Sequence, residues 1–138
     1  MTSGRRPVNV GVVVIGRNEG ERLKRCLESL GGVVGQVVYV DSGSTDGSVE
    51  MARAMGVEVL GLDMGTAFTA ARARNEGFGR LREMVAGVAY VQFMDGDCEL
   101  AGGWLHESAT FLGEHDGVAA VCGRLREKHP ERDRKSVV

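Results

Sequence analysis

The chain of 138 residues has a formal net charge of −2, with 43% hydrophobic and 26% charged residues, enough for one domain with its own core. This balance, without any run of Lys and Arg, excludes an electrostatic footprint for nucleic acid or an anionic membrane. Cys26, Cys98 and Cys122 are odd in number and lack C-x-x-C spacing, so neither a disulfide framework nor a zinc site is expected and the setting reads as a reducing cytoplasm.

Residues 8–15 are β-branched and apolar apart from Asn9, which predicts a first central strand. The run is too short to span a membrane and too soon followed by charge to be a signal peptide. Gly16-Arg17-Asn18-Glu19-Gly20 makes the turn. Over 19–30, Leu23, Cys26, Leu27 and Leu30 recur at helical spacing until Gly31-Gly32 stops the helix. A second strand over 36–40 ends at Asp41. Residues 42–47 offer capping side chains for a short helix over 49–55, and 57–60 form a third strand. Asp63-Met64-Gly65-Thr66 reads as a loop and cap before a longer helix, with Ala67, Ala71, Phe78, Leu81 and Val85 on its inner face and Gly77 and Gly79 weakening it. Tyr90, Val91, Phe93 and Met94 have the composition of a strand buried on both faces. A helix over 104–112 and a strand over 118–122 follow. The alternation predicts an α/β fold, a mostly parallel Rossmann-like sheet with helices on both faces, in one domain. The 21 glycines have no period, which excludes collagen-like and repeat architectures.

The stretch that carries chemistry is Asp95-Gly96-Asp97, directly after the fourth strand. A D-x-D tripeptide arises by chance in about a third of chains of this composition, so its position carries the argument. Open α/β sheets bind ligands at the carboxyl ends of their strands. In an extended segment the two carboxylates leave on one side, and Gly96 removes a Cβ that would crowd an approaching ligand. Two hard oxygen donors there suit a divalent cation that completes its shell with water and phosphate. His106, His115 and His129 have no metal-ligand spacing, and Trp104 reads as core or interface rather than a sugar platform.

Taken together, Val12-Val-Val-Ile-Gly-Arg-Asn-Glu19, Val38-Tyr-Val-Asp-Ser-Gly-Ser-Thr-Asp-Gly47, Ala73-Arg-Asn-Glu-Gly77 and Phe93-Met-Asp-Gly-Asp97 resemble, in order and spacing, the inverting family-2 glycosyltransferases of GT-A fold. The resemblance covers nearly everything from Val8 to Arg126. It implies a nucleotide-sugar donor across the sheet's carboxyl edge, with Mg²⁺ or Mn²⁺ on the leaving diphosphate. Gly16, Arg17, Asn18 and Glu19 match the segment beside the nucleobase and ribose, with Arg17 where an aromatic is frequent. Asp41 matches the first acid of the family's Asp pair, and Ser42 replaces the second. Arg74 and Asn75 match a polar pair that meets phosphate and sugar. Asp95 and Gly96 fall near the ribose and metal, and Asp97 corresponds to the main metal ligand. Blander readings stand beside these: Asn18 as a helix cap, Asp41 as the acceptor of an Asx-turn with Gly43, and Arg72, Arg74 and Arg80 as a solvated helix face.

In the resembled family the catalytic base and the acceptor half follow later. Glu107, Glu114 and Glu127 lack the surrounding motif, so residues 8–126 are expected to be the donor-binding part of a C-terminally truncated transferase, inactive alone, and cytoplasmic or, in full length, at a membrane surface. Residues 127–138 form a charged tail. Its last six residues correspond to GAT CGG AAG AGC GTC GTG, which resembles a short-read library adapter, and they are expected to be an assembly artefact. A nucleotidyltransferase would want a glycine-rich, lysine-bearing loop after the first strand, and a dinucleotide-binding domain would want G-x-G-x-x-G there. Neither is present. A non-catalytic nucleotide-sugar-binding module keeps the donor site without a base and stays open.

Overall fold

Four short β-branched runs alternate with amphipathic segments, and in the computed structural model, which describes residues 9–127, they form one layered α/β unit. The order is β1 (Val10–Gly16), α1 (Glu21–Glu28), a 3-10 turn (Gly31–Gln36), β2 (Val37–Asp41), α2 (Ser48–Ala54), β3 (Glu58–Gly61), α3 (Ala70–Met84), β4 (Tyr90–Asp95) and α4 (Trp104–Glu114). All strands are parallel in a four-stranded sheet of order β3-β2-β1-β4. The tail after residue 127, with its expected artefact, lies outside the described residues.

Strand alternation divides the core into two. Val12, Val14, Val37 and Tyr39 pack with Leu23, Cys26 and Leu27 of α1 and Ala52 of α2 on one face. Val13, Ile15, Val38 and Val40 pack with Ala73 and Leu81 of α3 on the other. Side chains at i and i+2 share a face, so the parity of each strand residue states which helix layer it meets.

Four expectations need correction. Leu81 and Val85 pack inward as expected, but the rest of the packed face of α3 is Ala73 and Gly77 rather than Ala67, Ala71 and Phe78; Ala67 precedes the helix, Ala71 is exposed, and Phe78 turns outward beneath the Arg82 guanidinium, 5.6 Å from the ring centroid. Thr69, not Thr66, caps the helix, accepting from the Arg72 N–H at 3.0 Å. β4 is not buried on both faces: among the described residues it stands at the sheet edge, pairing only with β1, and Phe93 is 42% exposed. Residues 118–122 form no strand. Trp104 belongs to the α4–β4 interface, its indole N–H donating to Gln92 Oε1 at 2.7 Å.

Gly77 is a packing device rather than a weakness. A Cβ there would lie 2.5 Å from Val13 Cγ1 and 2.7 Å from Val40 Cγ2, whereas one on Gly79 would meet nothing within 4 Å. Gly77→Ala is expected to destabilise by roughly 1–3 kcal/mol through overpacking, and Gly79→Ala to stabilise by up to about 1 kcal/mol through helix propensity. Urea-denaturation midpoints of the two variants check this, and a harmless Gly77→Ala would refute the close approach of α3.

Candidate functional site: a cleft at the sheet's switch point

The chain steps outward from β1 to β2 and β3, then returns to place β4 on the other side of β1. That reversal opens a crevice at the carboxyl ends of β1 and β4. A cleft of about 430 Å³ lies there, lined by Ile15, Gly16, Arg17 and Glu19, by Ser42, by Met64, Phe68, Ala70 and Arg74, and by Asp95, Gly96 and Asp97. It opens on the α3 side. Ile15 shares a face with Val13, Asp95 shares one with Val91, and Ser42 continues the parity of Val40; all of these neighbours belong to the α3 core.

The turn after β4 is fixed from below. Gly96 N–H donates to Ile15 O at 2.8 Å, Cys98 N–H to Asp95 O at 3.0 Å, and Leu100 N–H to Ser29 Oγ at 3.0 Å. A Cβ on Gly96 would lie 3.3 Å from Ile15 O and 3.4 Å from Leu23 Cδ1. The glycine therefore serves the turn's approach to β1, and it also borders the cleft. Asp95 ends β4, but Asp97 lies in this turn rather than in an extended segment, so the two carboxylates share the cleft through a bend. Both are exposed. Arg74 Nη2 stands 3.5 Å from Asp95 Oδ1, while Asp97 meets the Cys98 thiol at 3.5 Å. Exposed pairs of this kind contribute little stability and leave both groups available to a ligand.

The turn after β2 works differently. Asp41 is only 4% exposed. Its Oδ1 accepts from Tyr39 OH at 2.7 Å and from Ser44 Oγ, and its Oδ2 from the N–H groups of Gly43 at 3.0 Å and Ser44 at 2.8 Å. The Asx-turn reading of Asp41 thus holds, and its carboxylate does not line the cleft. Burial and the hydrogen bond to Asp41 push the Tyr39 phenol well above its ordinary pKa, so it stays a donor. Asn18, at φ 52°, does not cap α1. Its Oδ1 accepts from Thr45 N–H at 2.7 Å and its N–H donates to Ser44 Oγ at 2.8 Å, tying the turn after β1 to that after β2.

Ser42 is the residue of this turn that reaches the cleft. It is 4% exposed, and its hydroxyl oxygen is buried with no hydrogen-bond partner in the structure. Of the residues expected in the site, the fold gathers Gly16, Arg17, Glu19, Ser42, Arg74, Asp95, Gly96 and Asp97 around one cleft. Asn18 and Asp41 stand behind it as supports. Asn75, one residue beyond Arg74, is exposed and not among the lining residues. The α3 arginines stay partly solvated, Arg74 and Arg80 with side chains 43% and 42% exposed, while Arg72 donates to Asp63 O at 2.9 Å and Arg80 to Glu58 Oε1 at 2.7 Å. Sequence reasoning missed Met64 and Phe68 as cleft residues and Tyr39 as the partner of Asp41. For Tyr39 a signal existed, because it precedes Asp41 by two and shares its face.

A parallel sheet with a charged cleft at its switch point defines an α/β architecture of the kind in which ligands bind at the carboxyl edge. The sequence model of glycosyl transferase family 2 matches residues 11–137, and the chain belongs to that family. Membership marks it as a glycosyltransferase domain and implies a nucleotide-sugar donor and an acceptor. No curated protein matches it. No helix among the described residues is long and apolar enough to cross a membrane.

Two predictions follow from these turns. Asp41→Ala is expected to cost roughly 2–4 kcal/mol by orphaning the Tyr39 and Ser44 donors. Asp63→Ala, which removes an exposed Asx-turn bond to Gly65 N–H, should cost under about 1 kcal/mol, and equal urea midpoints would refute the difference. Burial pushes the Cys26 thiol up to about 12 and the Cys98 thiol up to about 11, so neither supplies a thiolate near neutrality. Iodoacetamide at pH 8 should modify exposed Cys122 first and Cys26 only after denaturant is added; peptide mass mapping reads the order.

Proposed function

We propose that the cleft binds a nucleotide-sugar donor and that the protein performs the donor half of a metal-dependent, inverting glycosyl transfer. The supporting observation is the meeting of Asp95, Asp97 and Arg74 with the buried, unpartnered Ser42 hydroxyl around one cleft. The carboxylate pair fits Mg²⁺ or Mn²⁺ by its chemistry. Both groups are hard, exposed oxygen donors, and no cluster of three or more His, Cys, Asp or Glu side chains suited to a metal occurs among the described residues, so water and phosphate oxygens would complete the shell. Asp97 would be the principal ligand, because Asp95 already faces a guanidinium. When bound, the cation neutralises charge developing on the leaving diphosphate.

The chain's own groups supply the rest. Arg74 presents a guanidinium able to hold phosphate oxygens by charge-assisted hydrogen bonds. It stands near the amino end of α3, where the helix dipole also favours an anion. Gly16 and Arg17 border the ribose and base. Ser42 donates to a ligand oxygen and so gains the partner it lacks. Glu19 is held by Arg22, with Oε2 2.7 Å from Nε, and forms a fixed wall rather than a proton acceptor. Inversion requires a carboxylate base opposite the leaving group. Glu107 and Glu114 of α4 do not line the cleft, so that role is left unassigned.

Isothermal titration of the whole chain with UDP-, GDP- and dTDP-sugars, in Mn²⁺ and in EDTA, tests the proposal. Binding by one of the three is expected in Mn²⁺ and at least tenfold weaker in EDTA. Asp97→Asn, at an exposed position, should reproduce the EDTA result in Mn²⁺ without shifting the urea midpoint. Metal-independent binding, or preference for NAD, would overturn the assignment.

A further inference from the structure

Two large apolar side chains stand in the cleft where solvent reaches them: Met64 is 48% exposed and Phe68 49%. They lie on the loop between β3 and α3, which leaves a strand at the opposite edge of the sheet from the one that ends in Asp95. Arg72 braces that loop, donating from Nη2 to Asp63 O at 2.9 Å and from Nη1 to Thr66 O at 3.4 Å, while Asp63 Oδ1 accepts from Gly65 N–H at 2.8 Å. Met64 leans on the turn after β2, its Cγ 3.6 Å from where a Cβ of Gly43 would sit. Neither Met64 nor Phe68 belongs to the buried core.

From this arrangement we infer that Met64 and Phe68 form the apolar wall against which the base ring of the donor packs, and so help to set which base is accepted. The inference rests on the donor-site reading above and deepens it. The sides of the cleft differ: Asp95, Asp97 and Arg74 gather by the end of β4 with Arg17 and Glu19 beside them on the turn after β1, the two large apolar side chains come from the loop after β3, and the Ser42 hydroxyl belongs to the turn after β2. A ligand matching that order is anionic at one end and flat and apolar at the other, as a nucleoside diphosphate is. A sugar ring would ask the β3 side for hydrogen-bond partners that a thioether and a phenyl ring do not provide. A heteroaromatic base gains from both, by stacking on the phenyl ring and by contact with the polarisable sulfur. Because Arg72 holds the loop open in advance, little ordering cost is charged to binding.

The test compares a ligand with a ring against one without. Wild type, Met64→Ala/Phe68→Ala and Phe68→Tyr are titrated, in Mn²⁺, with UDP, GDP, dTDP and inorganic pyrophosphate. The double variant should bind the preferred nucleoside diphosphate about tenfold more weakly or worse, while its pyrophosphate affinity stays within about twofold. Phe68→Tyr, which keeps the ring face, should retain nucleotide affinity. Equal loss on nucleotide and pyrophosphate, or loss on neither, would overturn the wall while leaving the donor site standing. A wild type that binds pyrophosphate but no nucleotide, or neither, would overturn the donor reading and the wall with it.

Discussion

The close contact of α3 with β1 and β2, made possible by the absence of a side chain at Gly77, sets the geometry of most of the cleft. Val13 Cγ1 and Val40 Cγ2 occupy the space a Cβ would need. Gly11 extends the same logic along β1, since a Cβ there would run into the Leu81 side chain. With the helix seated this low, Arg74, one turn before Gly77, comes level with the end of β4 and reaches Asp95. Arg72 points the other way and braces the loop that carries Met64 and Phe68. One small residue thus governs both the charged and the apolar side of the site.

Strand alternation then decides which side chains that cleft receives. Residues of the α3 face, Ile15 and Asp95, arrive at it, and Ser42 prolongs the line of Val38 and Val40. Residues of the opposite face are kept for support. Asp41 follows Tyr39 and is taken into a buried hydrogen-bonded turn, and Met94 goes into the α1 core. Neighbouring residues on one strand therefore divide between holding the site and forming it, so position in a motif does not by itself assign a role.

Much of this was legible in the sequence, and the failures have definite causes. The strands of β1 and β2, the stripe of α1 and the order of elements all follow from periodicity and composition, because those segments bury large apolar side chains that carry a signal. The inner face of α3 buries Ala73 and Gly77, which carry almost none, whereas Phe78 carries a strong one and is rotated out of the core. The place of β4 at the edge of the sheet is a property of strand order, and strand order is settled by which surfaces pair, not by the strand's own residues. Residues 118–122 have strand composition without a strand partner among the described residues, and composition alone cannot supply the hydrogen bonds. Eight of the expected cleft residues cluster because they sit at strand and helix ends, where the topology rule applies directly. Met64 and Phe68 escaped because loop residues acquire their neighbours only from the fold.

The turn after β2 shows how stability and function share a few residues. Asp41 binds donors from Tyr39, Gly43 and Ser44, and Ser44 in turn receives Asn18 N–H from the turn after β1. Those bonds hold two of the three turns around the cleft in one shape before any ligand arrives. Next to this saturated carboxylate, Ser42 keeps a buried hydroxyl oxygen with no partner, a state that costs on the order of 1–3 kcal/mol. On the donor-site reading proposed above, a hydrogen bond from that hydroxyl to a ligand oxygen would add to the free energy of binding.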